Sequence, residues 1–255
     1  MEVNLSGHSK WSSIKHKKGA ADAKRGKLFS KLTRSIIVAA KEGGGDPANN
    51  ATLQNAIDKA KSYSMPKDNI ERAIAKGSGS DADSAAFETI VYEGYGPEGV
   101  AVIAEALTDN KNRTASEVRH IFSKFGGNLG TSGAVAWQFD RRGVVLVAAD
   151  GVDEDELFLA AADGGADDLS QDGDVFQVTS LPENLALMRS AIETAGFTIE
   201  SSELSLIPKN TVAVDDEGKA RQLMRLIDAL EDDDDVQEVY ANFDIPEQVL
   251  EAVTA

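Results

Sequence analysis

The sequence contains no cysteine among its 255 residues, and it has no long uninterrupted apolar stretch. Without cysteine, the chain forms neither a disulfide nor a thiolate metal site. A membrane-spanning helix needs about 18 or more consecutive apolar residues, and no segment approaches that length. The segment from Met1 to Lys18 also lacks the apolar region and the small-residue cleavage site of a secretory signal. We therefore expect a cytoplasmic protein without a membrane segment.

The sequence also lacks the motifs of common enzyme classes. Its three histidines, His8, His16 and His120, are not paired at the spacing of a metal site. It has no G-x-S-x-G and no glycine-rich loop that ends in Lys-Ser or Lys-Thr. A G-x-G-x-x-G match at residues 94–99 contains Pro97 and precedes a predicted strand, which is the wrong context for a dinucleotide site. These features predict a non-enzymatic protein that uses no cofactor and no metal.

Negative charge dominates the chain, but its distribution is uneven. The formal net charge is −17. Residues 1–80 nevertheless contain 15 Lys and Arg against 7 Asp and Glu, whereas the remaining residues contain 11 against 36. A basic region in an otherwise acidic protein is the candidate surface for a polyanion. We expect the basic region to bind nucleic acid and the acidic remainder to offer a surface to a protein partner.

The basic region has the periodicity of helices. Apolar residues recur at helical spacing from Lys24 to Glu42 and again after Pro47. A third helix is predicted to begin at Pro66 and to end at Gly77. Because short amphipathic helices need one another to bury their apolar faces, residues 1–80 are predicted to form a three-helix domain.

After residue 80 the pattern alternates between strands and helices. One helix is predicted from Thr114, with Thr114 and Glu117 as a capping box, and one hairpin is predicted to turn at Arg141 to Gly143. Strand pairs joined by single helices predict an α+β multidomain protein with two ferredoxin-like α/β domains, one inserted in the other. The predicted division is a basic helical domain at 1–80, a discontinuous α+β domain at 81–130 plus 206–255, and an inserted α+β domain at 131–205.

The candidate nucleic-acid contacts are mostly basic residues of the N-terminal tail and the first helix. Five of the basic residues lie within an arc of about 100° on that helix, beside or opposite the apolar arc; they are Lys24, Lys27, Lys31, Arg34 and Lys41. Such residues neutralise phosphates, and Trp11 could stack on an unpaired base. A solvated helix face is the alternative interpretation. The candidates are Lys10, Trp11, Lys15, His16, Lys17, Lys18, Lys24, Arg25, Lys27, Lys31 and Arg34.

A second, smaller basic cluster precedes the helix predicted from Thr114. Lys111 and Arg113 lie next to the start of that helix, and helix N-termini attract anions. The same residue types also occur in ordinary loops and helix caps. Lys111 and Arg113 are therefore predicted to form a secondary anion contact.

Several long segments resemble the YebC/PmpR family, and they occur in the same order along the chain. They are Gly7-His8-Ser9-Lys10-Trp11, Lys24-Arg25-Gly26-Lys27-Leu28-Phe29, MPKDNIERAI from Met65, YEGYGPEGV from Tyr92, TDNKNRTASEV from Thr108, and the segment from Ala229 to Asp244. The resemblance spans nearly the whole chain. It implies a non-enzymatic protein with a helical first domain and two α/β domains.

The resemblance leaves two functions open. Bacterial members of the family are described as transcriptional regulators that bind DNA, which favours a DNA-binding regulator. A mitochondrial relative activates translation and some bacterial members act on ribosomes, which favours an RNA-binding or ribosome-binding translation factor. The sequence predicts no helix-turn-helix recognition helix, whereas phosphate and shape contacts would suffice for RNA. It indicates neither a target sequence nor an oligomeric state.

Overall fold

The computed structural model describes residues 22–79 and 87–254, which form a mixed α/β structure. The helices in this part of the chain are α1 (Asp22–Gly43), α2 (Ala51–Ser62), α3 (Lys67–Ser78), α4 (Lys111–Lys124), α5 (Glu154–Asp163), α6 (Leu185–Thr194), α7 (Glu217–Asp232) and α8 (Glu247–Thr254). The strands are β1 (Glu88–Tyr95), β2 (Ala101–Thr108), β3 (Asn128–Leu129), β4 (Phe139–Ala148), β5 (Ala166–Asp172), β6 (Val175–Ser180), β7 (Ile199–Pro208), β8 (Val212–Ala213), β9 (Val236–Ala241) and β10 (Phe243–Asp244).

The described residues divide into two compact units, each made of two chain segments. Unit one contains residues 22–79 and 141–205, and unit two contains residues 87–140 and 206–254.

In unit one, α1 packs against both α2 and α3 because each helix has an apolar face. The buried side chains include Leu32 and Ile36 of α1, Leu53 and Ile57 of α2, and Ile70 of α3. These residues form one continuous core, so the position of α1 is fixed by tertiary packing as well as by its own hydrogen bonds.

Gly77 lies inside α3, so the prediction that it ends this helix is wrong. A Cβ atom at this position would lie 2.4 Å from the Ile37 carbonyl oxygen and 2.8 Å from the Ala40 Cβ. Glycine is needed here because the α3 backbone approaches α1 too closely for any side chain. α3 continues to Ser78.

Asn50 joins the end of α1 to the start of α2. Its side-chain amide donates to the carbonyl oxygens of Ala39 and Gly44, each at 2.8 Å, and its side-chain oxygen accepts from the Leu53 N–H at 3.0 Å. This buried side chain therefore caps α2 and also satisfies backbone groups at the end of α1. Asp46 caps the 3₁₀ turn that precedes α2.

The remainder of unit one is a four-stranded sheet with strand order β5-β6-β4-β7. β6 pairs antiparallel with both β5 and β4. Leu157 of α5 and Met188 of α6 are buried against residues of β4 and β6, so both helices share a core with the sheet. The predicted turn at Arg141 to Gly143 is wrong, because β4 runs through these residues. Arg142 of β4 forms an ion pair with Asp167 of β5 at 2.8 Å, so its charge has a partner within the sheet.

The sheet of unit two has the strand order β3-β1-β2-β9, and its neighbouring strands are antiparallel. Side chains of α4, α7 and α8 share a core with one face of this sheet. The segment containing Val135 and Phe139 packs on the opposite face, against Ile103 and Tyr240. The central strand β2 is therefore buried on both faces.

A membrane-crossing helix is not present in the described parts of the chain, since no helix there combines the required length with sufficient apolar character.

Candidate nucleic-acid interface

Helix α1 places apolar and basic side chains on different sides. Leu32, Ile36, Ala39 and Ala40 are buried in the bundle core. A helix has about 3.6 residues per turn, so Lys27, Lys31 and Arg34 lie together on the side opposite that core. Lys27 is exposed, and Lys31 and Arg34 are half-buried. We call Lys27, Lys31 and Arg34 the basic face of α1.

The composition of α1 favours contacts to negative charge. Its acidic residues are confined to its two ends, at Asp22 and Glu42, and it contains neither asparagine nor glutamine. The hydroxyl groups of Ser30 and Ser35 donate to the carbonyl oxygens of Gly26 and Lys31, at 3.0 and 3.3 Å. These two hydroxyls are thus bound to the helix itself, and the cations dominate the chemistry of this face.

The other predicted contacts in the N-terminal region stay predictions. Lys24 and Arg25 belong to the first turn of α1. The candidates in the tail lie outside the described residues; they are Lys10, Trp11, Lys15, His16, Lys17 and Lys18. The structure therefore brings three of the predicted contacts, Lys27, Lys31 and Arg34, to one face.

The second basic cluster belongs to a hydrogen-bond network centred on Asp235. The Asp235 Oδ2 atom accepts from Arg113 Nη2 at 2.6 Å, from Thr114 Oγ1 at 2.7 Å and from Thr108 Oγ1 at 3.0 Å. Arg113 also contacts the Asp109 carboxylate at 3.1 Å. Asp235, Thr108 and Thr114 are all buried, so this network ties the end of β2 and the start of α4 to the residue before β9.

The pKa values of Asp235 and of the neighbouring Glu117 are shifted in opposite directions. Burial by itself raises the pKa of Asp235, but the hydrogen bonds from Arg113, Thr114 and Thr108 and the charge of Arg113 outweigh burial and lower it. Partial desolvation and the negative charge of Asp233 raise the pKa of Glu117 above its ordinary value. Asp235 is therefore held in its charged form, whereas Glu117 is the more easily protonated group.

The predicted capping box at Thr114 and Glu117 is wrong. α4 begins at Lys111, and Asn110 caps it by accepting a hydrogen bond from the Arg113 N–H at 3.2 Å. The Thr114 hydroxyl is directed to Asp235 instead.

Carboxylates surround the two cations of the predicted secondary anion contact. Arg113 lies between Asp235 and Asp109, and the Lys111 Nζ atom lies 3.7 Å from Glu88. An anion would therefore have to compete with these neighbours at both positions. The secondary contact stays a prediction.

Three carboxylates also meet beside this network. Oxygen atoms of Glu117, Asp233 and Asp235 all lie within 4.8 Å of one another. Exposed acidic groups often cluster without an ion, and Asp235 already receives three hydrogen bonds from side chains. The arrangement therefore does not by itself identify a metal site.

Two models of known protein families match this chain. A family model described as the TACO1/YebC protein N-terminal domain matches residues 9–80. A second model, described as the TACO1/YebC second and third domain, matches residues 87–243. The chain belongs to the TACO1/YebC family.

Individual YebC-family proteins are similar along their full lengths. A protein of Rubrobacter xylanophilus named "probable transcriptional regulatory protein" is 58% identical over 249 residues, which cover 98% of this chain and 99% of the relative. A protein of Geotalea uraniireducens with the same name is 54% identical and covers 97% of this chain. The crystal structure of a conserved hypothetical protein from Aquifex aeolicus is 48% identical, covers 90% of this chain and 94% of its own, and superposes with a TM-score of 0.80. The resemblance inferred from sequence motifs is thus confirmed.

The YebC-family motif that begins at Thr108 forms much of the Asp235 network, which the sequence alone did not reveal. Thr108, Arg113 and Thr114 all belong to this motif, and their common partner lies more than 120 residues later in the chain. The available sequence signal was weak: Asp235 is the last residue of an acidic run and directly precedes the buried Val236.

Proposed function

We propose that this YebC-family protein is a regulator of transcription that binds DNA through the basic face of α1. The observation that carries this proposal is the placement of Lys27, Lys31 and Arg34 on the side of α1 opposite its buried apolar residues. One side of α1 is packed in the core, so cations on its opposite side can contact successive phosphates and the fold does not have to change. The names of the relatives support a regulatory role in general.

The proposed contacts are made to phosphates rather than to base edges. Base reading in the major groove uses bidentate groups such as asparagine, glutamine or arginine. Helix α1 contains no asparagine or glutamine, its basic face holds a single arginine, Arg34, and the hydroxyls of Ser30 and Ser35 donate to the helix backbone. We therefore expect binding with weak sequence preference and strong salt dependence. Preference for a DNA site would have to come from the tail candidates or from a partner protein.

The same observation supports RNA as a second candidate. Double-stranded RNA is recognised mainly through its shape, its phosphates and its 2′-hydroxyls, because its major groove is too narrow for side chains. A face of cations that contacts phosphates suits such a target. The alternative function is therefore a ribosome-binding or RNA-binding translation factor that uses the same residues.

We further infer a domain organisation that is consistent with this role. The order β4-α5-β5-β6-α6-β7, with the sheet order β5-β6-β4-β7, supports a ferredoxin-like domain inserted at about residues 131–205. A basic helical domain at 1–80 and a discontinuous domain at 81–130 plus 206–255 complete the proposal. We propose a non-enzymatic cytoplasmic protein whose acidic domains contact a protein partner.

Co-sedimentation with ribosomes in the presence of excess duplex DNA distinguishes the two candidates. The purified chain is mixed with ribosomes at about 0.15 M salt, where exposed charges more than about 8 Å apart are largely screened. A regulator of transcription is expected to leave the ribosome fraction and bind the duplex. Retention on ribosomes despite the competitor would contradict the DNA proposal and favour the translation factor.

The salt dependence of duplex binding tests whether the basic face of α1 contacts phosphates. Each neutralised phosphate of duplex DNA contributes about −0.9 to the slope of log affinity against log salt concentration. If the three cations of the basic face contact phosphates, replacing all three with glutamine should reduce the magnitude of that slope by about 2 to 3. An unchanged slope in a folded variant would exclude these residues as phosphate contacts.

A further inference from the structure

Helix α5 carries apolar side chains on its buried side and also on its exposed side. Leu157 and Ala161 are fully buried in the core that α5 shares with the sheet of unit one. Phe158 and Leu159 lie outside this core and are 40% and 69% exposed. A helix that is apolar on all sides is usually covered on all sides. The outer side of α5 therefore has the composition of a contact surface.

Helix α6 adds another exposed leucine to the same layer. Leu187 is 65% exposed, whereas the next residue, Met188, is buried. The two helices approach each other where α5 ends, because a Cβ atom on Gly164 would lie 2.8 Å from the Leu187 carbonyl oxygen. Leu159 lies about 8 Å along α5 from that approach, at 1.5 Å of rise per residue. Because both helices cover the same face of the sheet, their exposed leucines lie on the outer surface of one helical layer.

Carboxylates surround the exposed leucine of α5. Residues three or four apart are neighbours on the surface of a helix. Leu159 therefore has Asp155, Glu156 and Asp163 as neighbours, and all three are exposed. Within residues 22–79 and 87–254, no cation lies at ion-pair distance from any of these three carboxylates. Their charges are therefore available to a cationic partner.

The sequence around this surface contains no positive charge. Residues 143–188 include all of α5 and the start of α6, and they contain 11 Asp and Glu but no Lys or Arg. Such a surface repels nucleic acids and anionic lipid headgroups, and it disfavours contact with the same surface of a second copy. Exposed leucines bordered by unpaired carboxylates are instead complementary to apolar side chains bordered by cations.

We propose that the outer surface of α5 and α6 is a docking site for a basic amphipathic helix of another protein. The apolar side of such a helix packs on Leu159 and Leu187, and its lysines or arginines pair with the carboxylates around Leu159. We call Leu159, Leu187, Asp155, Glu156 and Asp163 the Leu159 surface. The inference rests on our proposal that the acidic domains contact a protein partner, and it specifies the position and chemistry of that contact. It does not depend on the binding of nucleic acid by α1.

Binding of a designed peptide to the full-length chain tests the proposal. The probe is a capped, dye-labelled peptide of two copies of the heptapeptide LKKLLKK, which places leucines on one side of a helix and lysines on the other. One comparison peptide has alanine at every leucine, and the other has glutamate at every lysine. Fluorescence anisotropy at about 0.15 M salt should show saturable binding of the probe. The alanine peptide should bind at least about tenfold more weakly, and the glutamate peptide should not bind.

Substitution of the exposed leucines tests the apolar contact. Leu159→Gln together with Leu187→Gln should weaken binding of the probe about tenfold or more, because glutamine keeps the helix propensity but removes the apolar surface. Val91→Gln together with Trp137→Gln changes two exposed apolar side chains of unit two and should leave the affinity within about twofold. If the double glutamine variant of the leucines does not fold, alanine replaces glutamine at both positions and a loss is again expected.

Substitution of the carboxylates tests the charged contact. Glu156→Gln together with Asp163→Asn should weaken binding of the probe several-fold. Asp215→Asn together with Glu217→Gln removes the same charge from exposed positions of unit two and should leave the affinity within about twofold.

Affinity for duplex DNA, measured on the same proteins, keeps this proposal separate from the proposed function. If the parent chain binds duplex DNA but not the probe, the docking site is overturned and the role of α1 stands. If it binds the probe as described but not duplex DNA, the docking site is supported and the role of α1 is overturned.

Three other results would overturn the docking site. The first is equal affinity for the probe and the alanine peptide. The second is an equal loss in the leucine variant and in its unit-two control. The third is self-association of the parent chain in sedimentation equilibrium that the leucine variant abolishes, without binding of the probe, because the occupant would then be a second copy.

Discussion

Helices α1 and α4 both carry clustered cations, but the two clusters lie differently relative to the core: the α1 cluster lies opposite it, whereas Arg113 at the start of α4 contacts a buried carboxylate. Within α1, Asp22 and Glu42 lie at the ends, away from the basic face. At the start of α4, Arg113 contacts two carboxylates, and one of them, Asp235, is buried. At α4, the fold brings carboxylates that are distant in sequence to a basic residue and makes it part of a partly buried ion pair. The basic face of α1 is the surface that we propose for nucleic acid. The two clusters look alike in the sequence, and only the folded structure separates them.

The consequences of mutation should differ between the two clusters. The ion pair at α4 lies partly within the protein, so disrupting it should reduce stability. The basic face of α1 lies opposite the core, so reversing its charge should reduce binding.

The largest loss of stability is expected for Asp235→Ala. The change leaves the buried Thr108 and Thr114 hydroxyls and the Arg113 guanidinium without their common acceptor. We expect the free energy of unfolding to fall by about 2 to 4 kcal/mol, measured by urea denaturation. Asp234→Ala, at an exposed position of the same acidic run, should change stability by less than about 0.5 kcal/mol. If the two variants lose the same stability, the network has no structural role.

The stability contributed by Asp235 should depend on pH. The folded state lowers the pKa of Asp235, so its contribution is present above the ordinary aspartate pKa of about 4 and is lost as pH falls through the folded value. Asp235→Asn should therefore reduce the part of the acid-induced loss of stability that occurs below about pH 4. Urea denaturation of the parent and of Asp235→Asn at a series of acidic pH values measures the free energy of unfolding of each. If the two plots of this free energy against pH run parallel, Asp235 does not contribute to the loss of stability in acid.

Two glycine substitutions should have opposite effects on the bundle that supports the basic face. Gly77→Ala should destabilise the protein by about 1 to 3 kcal/mol, because its Cβ would collide with the α1 backbone. Gly26→Ala, where the added Cβ meets nothing within 4 Å, should stabilise it by about 0.5 to 1 kcal/mol through helix propensity. Thermal unfolding of both variants checks the signs. A stabilising Gly77→Ala would mean that the α1–α3 approach is looser than described.

The smallest effect is expected for Glu117→Gln. The pKa of Glu117 is raised by partial desolvation and by Asp233, so its charged form is less favourable in the folded protein. Removing the charge should stabilise the protein at pH 7 by less than about 0.5 kcal/mol, because the exposed group is screened by solvent. The gain should shrink as pH falls through the raised pKa, where the parent carboxyl also becomes neutral. Urea denaturation of the parent and the variant at pH 7 and at a pH below the raised pKa measures the change. A loss of stability at pH 7 in the variant would contradict this prediction.

Sequence periodicity was a good guide to the helices but a weaker guide to their ends. The apolar repeat identified α1 because burial of one face leaves a clear 3.6-residue pattern. The predicted turn at Arg141 to Gly143 failed because polar residues also occur in strands, where Arg142 has an ion-pair partner. The cap of α4 was misplaced because both Asn110 and Thr114 are favourable capping residues.

The candidate sites differ in how well they could be predicted, because their residues lie at different separations along the sequence. The basic face could be predicted because its members are three or four residues apart on one helix. The Asp235 network could not be, because its partners are distant in sequence and meet only in the folded protein.

Charge reversal on α1 tests the central claim most directly. Lys27→Glu, Lys31→Glu and Arg34→Glu are combined in one variant, and Arg119→Glu, Lys124→Glu and Lys219→Glu form a control with the same change in net charge at cationic positions of unit two. Affinity for duplex DNA and for ribosomes is measured at one salt concentration, with circular dichroism as the check on folding. We predict that the α1 variant loses at least about a hundredfold in affinity for its nucleic-acid partner, whereas the control loses less than about tenfold. Equal losses in the two folded variants would contradict a specific interface on α1.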